Sequence, residues 1–172
     1  LSFSLYDVGN SVFPMIVIAA LTSSYFVNNV VDDPQYGTAL WQFTIGVTGI
    51  IVALIMPYIG KIADSRANGK IFYLRLFSIL CIIFIGCFYL IKPSTNYIYY
   101  GLLFLLLSGI TYEISNSFYN STLKNCYASD LTLGSGIGFG SGFIGGVVIF
   151  FLILTLLILP EKNIFNFNKD NF

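Results

Sequence analysis

Five runs of predominantly apolar residues constrain the fold of this chain more than any other feature of its sequence. A helix needs about 20 such residues to cross ~30 Å of hydrocarbon. The five runs cover residues 12–31, 39–59, 71–91, 97–119 and 133–159. We therefore predict an all-α fold, a polytopic bundle of about five transmembrane helices that is surrounded by membrane lipid.

The connectors between the runs are short and polar, which makes consecutive helices antiparallel neighbours. Transmembrane strands would instead be segments of ~10 residues with alternating polarity. The composition agrees with membrane helices, since 56% of the residues are hydrophobic and only 9% are charged. A typical soluble domain is about 25% charged.

Charge and cysteine content exclude several classes of function. Eight basic residues balance eight acidic ones and histidine is absent, so we expect neither nucleic-acid binding nor histidine catalysis. Cys81, Cys87 and Cys126 lack metal-ligand spacing, and we predict no metal site and no cofactor. No nucleophile, base and orienting group occur at workable spacing, so an enzyme is not expected.

The basic residues near the ends of the runs predict the orientation, because they concentrate in cytoplasmic loops. With a cytoplasmic N-terminus, Lys61, Arg66, Lys70, Arg75 and Lys124 lie inside. Lys92, Lys162 and Lys169 then lie outside. The chain starts at Leu1 and stops soon after a long apolar run, so we expect a fragment of a longer protein.

The fourth run carries polar residues on one helical face. Glu113, Asn116, Ser117 and Asn120 recur at i, i+3, i+4 and i+7. An ionisable group costs about 2.5–3.5 kcal/mol at mid-bilayer, so Glu113 should face a cavity or a partner. We predict that these residues line a transport pathway; the alternative is a protonated or hydrogen-bonded Glu113 with a structural role.

A second polar face precedes and enters the first run. Asp7, Asn10 and Pro14 lie at helical spacing there, and we assign Asp7 and Asn10 to the same pathway. The alternative for Asp7 is a carboxylate in the first turn of a helix, where the macrodipole favours it.

Glycines recur every four residues in the fifth run. Such a small-xxx-small pattern lets a second helix approach closely, so we predict a packing surface at Gly134, Gly138, Gly142 and Gly146. Residues 140–145 also match GxGxxG, but no strand precedes them, and we exclude a dinucleotide loop.

The loop between the second and third runs carries Gly60, Asp64, Arg66 and Lys70. It resembles the Gly-x-x-x-Asp-basic-x-Gly-basic loop of the major facilitator superfamily, which Gly60 and Asp64 match, although Ser65 replaces a basic residue and Arg66 and Lys70 are shifted. The resemblance implies a cytoplasmic gating loop made of Gly60, Asp64, Arg66 and Lys70, which latches two six-helix halves.

Three further motifs are Tyr6-Asp7-x-x-Asn10-Ser11, Phe118-Tyr119-Asn120-Ser121 and residues 138–146. They resemble the vacuole-effluxer-like, autophagy-related permease branch and its bacterial relatives, except that Val8-Gly9 stands in place of the usual Trp-Ala. The resemblance implies a twelve-helix parent whose C-terminal half is missing here. It also implies a bacterial inner (plasma) membrane and, as the leading substrate class, amino acids moved by efflux.

We therefore expect a secondary active transporter of a small solute that works by alternating access, with Glu113 as a candidate site for a proton or for a cationic substrate. The rival hypothesis is a membrane scaffold or assembly subunit that transports nothing and whose glycines serve partner helices.

Overall fold

A computed structural model describes residues 2–126 and 131–155; for residues 2–5, 123–126, 131, 133 and 134 only the backbone is described. All regular structure in these ranges is helical, which confirms the predicted all-α fold. Five stretches are long and apolar enough to cross a membrane. We call them spans 1 to 5: Tyr6–Val30, Pro34–Asp64, Gly69–Leu90, Thr95–Thr122 and Ser135–Ile153.

The helices extend beyond the apolar runs because flanking polar residues are also helical. The α-helices are α1 Ser2–Val12, α2 Leu21–Tyr25, α3 Pro34–Asp64, α4 Gly69–Gly86, α5 Ile98–Cys126 and α6 Leu131–Ile153. Two π-helical segments, Phe13–Ile18 and Phe26–Val30, complete span 1, and 3₁₀ turns cover Cys87–Leu90 and Thr95–Tyr97. Since α1 starts at Ser2, Asp7 and Asn10 lie within a helix and beyond its first turn.

Span 1 is interrupted near its middle. Pro14 has no N–H to donate and its ring crowds the preceding turn. The N–H of Ala19 reaches back five residues to the carbonyl of Pro14 at 3.1 Å. At Ala20 the backbone leaves the helical region, with φ −118° and ψ −91°. π-Helical segments and broken helices occur frequently at the functional sites of membrane transporters.

Span 4 lies at the centre of the bundle. Its backbone packs closely on spans 2 and 3, whereas the α1 part of span 1 packs on span 5. Buried apolar side chains join spans 1, 2 and 4 at one end of the bundle, where Phe26, Trp41 and Leu105 cluster. The backbones of α1 and span 4 make few close contacts. Side chains bridge the space between them.

Candidate functional site

A polar pocket of about 260 Å³ opens between spans 1, 4 and 5. It contains four of the six residues that the sequence assigned to a pathway, namely Asp7, Asn10, Asn116 and Asn120. Its other lining residues are Ser11, Pro14, Tyr112, Tyr119, Ser135, Gly138 and Phe139. The pocket thus presents one carboxylate, three amides and several hydroxyls within the membrane-spanning part of the chain.

Hydrogen bonds from Asn10 cross the space between spans 1 and 4. Its Nδ2 donates to Oδ1 of Asn116 at 3.2 Å and, more weakly, to the hydroxyl of Tyr112 at 3.5 Å. The Tyr112 ring in turn stacks on Phe13, with 4.3 Å between ring centroids. These contacts link the two polar faces beside the pocket.

A cluster of three hydroxyls lies one turn before Asn10. The Tyr6 hydroxyl is 2.8 Å from Ser78 Oγ and 2.7 Å from Ser115 Oγ, and the two serine oxygens are 2.7 Å apart. The Tyr6 ring also stacks on Tyr119, which lines the polar pocket. The cluster therefore ties spans 1, 3 and 4 together beside the pocket.

Sequence reasoning did not find this hydroxyl cluster. Ser78 and Ser115 are single serines in apolar runs, where serine usually bonds the carbonyl of its own helix. Ser78 makes that local bond as well, to the Leu74 carbonyl at 2.8 Å. The one sequence feature that pointed to the cluster was Tyr6, at the start of its motif. That motif does not indicate which residues of spans 3 and 4 contact Tyr6.

The other two pathway candidates, Glu113 and Ser117, do not line the polar pocket. Glu113 faces a separate cavity of about 450 Å³ between spans 1, 2 and 4, where its neighbours include Thr48, Met56 and Gly109. The Ser117 hydroxyl donates to the Glu113 carbonyl at 2.9 Å. Residues at i, i+3, i+4 and i+7 spread over roughly 100° of a helix, which is wide enough to reach two cavities.

No ion pair forms between Glu113 and Arg75, the cation nearest a helix interior in the sequence. Within residues 2–126 and 131–155, the one ion pair joins Lys70 Nζ to Asp64 Oδ1 at 3.1 Å. The Glu113 side chain is exposed on the surface of the five-span unit. Its carboxylate is therefore open to water, to a cation or to a further segment of protein.

The predicted glycine surface of span 5 lies partly against span 1. A Cβ atom at Gly142 would lie 2.6 Å from Ser11 Oγ and 2.9 Å from Asp7 Oδ2, and one at Gly146 would lie 2.7 Å from Met15 Sδ. Gly138 is buried at the pocket. The surroundings of Gly134 lie outside the described residues. Gly145, outside the four-residue repeat, also packs against span 1, at Val8.

The loop between spans 2 and 3 is folded tightly against the end of span 2. Asn68 adopts a left-handed conformation with φ 60°, and Gly69 packs on the backbone of Ala63. This turn places Lys70 beside Asp64, while Arg66 is exposed and Gly60 has open space beside it. A solvent-exposed pair of this kind contributes only about 0–1 kcal/mol, so it separates easily.

Comparison with known proteins gives one family and two relatives. The family described as "Vacuole effluxer Atg22 like" matches residues 37–132. An "Uncharacterized MFS-type transporter YxiO" of Bacillus subtilis (strain 168) is 27% identical over 169 residues. An "Uncharacterized protein" of Aquifex aeolicus (strain VF5) is 26% identical over 161 residues.

The aligned regions cover 93% and 94% of this chain, but only 38% and 39% of these relatives. The chain therefore spans about two fifths of their length. No solved structure matches the chain significantly.

Proposed function

We propose that this chain, which belongs to the Atg22-like vacuole effluxer family of major facilitator permeases, forms the solute-binding N-terminal part of a secondary active transporter. In this proposal a small solute occupies the pocket between spans 1, 4 and 5. Alternating access exposes that pocket to one side of the membrane and then to the other. The remainder of a longer chain supplies the opposing wall.

One observation carries this proposal: the polar pocket itself. Asp7, Asn10, Asn116 and Asn120 come from two spans distant in sequence and converge on one cavity inside the membrane-spanning region. Asp7 and Asn10 lie near the start of span 1 and Asn116 and Asn120 near the end of span 4, so the cavity opens close to one end of the bundle. A scaffold would need neither the cavity nor the amides, and the close glycines of span 5 are already used within the chain against span 1.

The finer features of the proposal follow from the family and from the charges. Amino acids are the leading substrate class, efflux the leading direction, and protons the leading coupling ion, bound at Glu113. The N-terminus lies in the cytoplasm, the membrane is the bacterial inner membrane, and the Asp64–Lys70 loop acts as a cytoplasmic latch that opens during transport. We propose no enzymatic activity.

Replacing Asn116 tests the proposed path. Asn116→Ala removes the acceptor for Asn10 and one pocket amide. In the full-length protein, reconstituted in proteoliposomes and screened with radiolabelled amino acids, we expect solute flux to fall at least tenfold. That corresponds to about 1.4 kcal/mol of lost interaction.

Asn28→Ala is the matched control, because Asn28 is an exposed asparagine of the same bundle that is not among the residues lining the polar pocket; its amide donates to Ser24 Oγ at 3.1 Å. Its flux should stay at the wild-type level. Equal flux in wild type and Asn116→Ala would contradict a path through this pocket. A wild-type protein that moves no solute under any gradient would favour the scaffold.

A further inference from the structure

We infer that the polar pocket recognises the protonated amine of its solute, and that Asp7 is the group that binds it. This inference rests on the proposed function and adds which chemical group of the solute the site requires. The solute class is accordingly a small organic ammonium, with or without a carboxylate.

Asp7 gives the pocket its charge. Among the residues that line the pocket, Asp7 is the single Asp, Glu, Lys or Arg. Within the described part of the chain, the Asp7 carboxylate forms no ion pair and accepts no hydrogen bond. Its backbone carbonyl does have a donor, the Ser11 hydroxyl at 2.9 Å. A bound ammonium group would supply the missing countercharge and a charge-assisted hydrogen bond at this carboxylate.

Asp7 lies beyond the first turn of its helix. Dipole stabilisation of a carboxylate falls off within the first helical turn. Helix α1 begins at Ser2 and its first turn holds no acidic residue, so Asp7 lies too far along for that explanation. The structure thereby removes the alternative that the sequence left open for this residue.

Span 5 and the amides of the pocket surround the Asp7 carboxylate. Span 5 approaches Asp7 so closely that a Cβ atom at Gly142 would lie 2.9 Å from Oδ2, which shields one side of the carboxylate from water. Asp7 lines the cavity and is only partly buried, so its carboxylate is accessible there. Asn10, Asn116 and Asn120 supply amide oxygens that accept further N–H bonds from an ammonium group.

Three isosteric solutes test the inference in the wild-type full-length protein. L-Valinamide carries the amine alone, 2-hydroxy-3-methylbutanoate carries the carboxylate alone, and L-valine carries both. Binding is measured by isothermal titration and by the shift in thermal unfolding in detergent. We expect valinamide and valine to bind and to raise the unfolding temperature, and the hydroxy acid to bind at least tenfold more weakly than either.

Asp7→Asn keeps the shape and removes the charge, so affinity for valinamide should fall at least tenfold. Asp32→Asn, in the exposed connector after span 1, should bind as wild type does. Binding of the hydroxy acid as tight as that of valinamide would overturn the inference, as would unchanged affinity in Asp7→Asn. If Asp7→Asn does not fold, the three wild-type affinities decide alone.

The outcomes separate this inference from the proposed function. Flux of an anionic or neutral solute that Asn116→Ala abolishes would retain the transporter and reject the ammonium site. Failure of the wild-type protein to bind any of the three solutes also rejects the ammonium site. If the wild-type protein transports none of the solutes tested, both the transporter and the ammonium site are rejected.

Discussion

At the scale of single residues, Asp7 and Glu113, the two carboxylates assigned to the pathway, lie in different cavities. Asp7 lines the polar pocket between spans 1, 4 and 5, whereas Glu113 lines the larger cavity between spans 1, 2 and 4. Tyr112, which lines the polar pocket, stacks on Phe13, which lines the larger cavity. This separation allows one carboxylate to bind the solute while the other binds the coupling ion.

The first prediction at this scale concerns coupling. Glu113→Gln keeps the size of the side chain and removes its charge and its titration. Because Glu113 does not line the polar pocket, we expect the full-length variant to exchange solute across the membrane at the wild-type rate. It should lose accumulation driven by a pH gradient, because the proposed proton-binding group is gone.

Counterflow and gradient-driven uptake in the same proteoliposomes measure these two activities. Asp33→Asn, at the exposed start of span 2, is the carboxylate control and should keep both. Gradient-driven uptake that persists in Glu113→Gln would rule out the proton role. A variant that fails to fold would favour a structural glutamate.

The pattern of polar residues was predictable, but the division between cavities was not. Periodicity places Glu113, Asn116, Ser117 and Asn120 on one face. Which side of that face meets span 1 or span 2 depends on how the helices pack, and tertiary packing leaves no trace in periodicity. The same reason hides the partners of Tyr6 on spans 3 and 4.

At the scale of elements, the contact between spans 1 and 5 shapes the pocket. Glycines bring the two backbones together along Asp7, Ser11 and Met15. Repetition every four residues predicted a close approach from the sequence. It did not predict the partner, or that Gly145 joins the contact while Gly136 and Gly140 have open space beside them.

Gly142→Leu tests this contact. The new side chain would overlap Ser11 and Asp7, so spans 1 and 5 must separate. Overpacking of a well-packed interface typically costs about 1–3 kcal/mol, and we expect a loss of at least that size. SDS-induced unfolding of the full-length protein, followed by tryptophan fluorescence of Trp41, measures it.

Gly136→Leu is the matched control, since nothing lies within 4 Å of a Cβ atom at Gly136. It should unfold at the wild-type SDS concentration. Equal stability of the two variants would show that span 5 does not pack on span 1 through this surface.

At the scale of the whole molecule, the lengths of the apolar runs were sufficient to predict an all-α membrane bundle, because only paired backbones cross a bilayer. The interruption of span 1 was less predictable. Pro14 cannot donate a backbone hydrogen bond, but nothing in the sequence marks the two π-helical segments, Phe13–Ile18 and Phe26–Val30. The proposed transporter requires that the pocket between spans 1, 4 and 5 lie on the path of a solute.

Thiol accessibility tests that claim most directly. In full-length protein lacking Cys81, Cys87 and Cys126, a cysteine replaces Asn120 in the pocket or, as a control, Leu103, which is exposed on the apolar surface of span 4. We predict that Asn120→Cys reacts at least tenfold faster than Leu103→Cys with a membrane-impermeant maleimide, and that transported solute slows the reaction. If Asn120→Cys reacts as slowly as Leu103→Cys, or if solute does not affect its reaction, a solute path through the pocket between spans 1, 4 and 5 is contradicted.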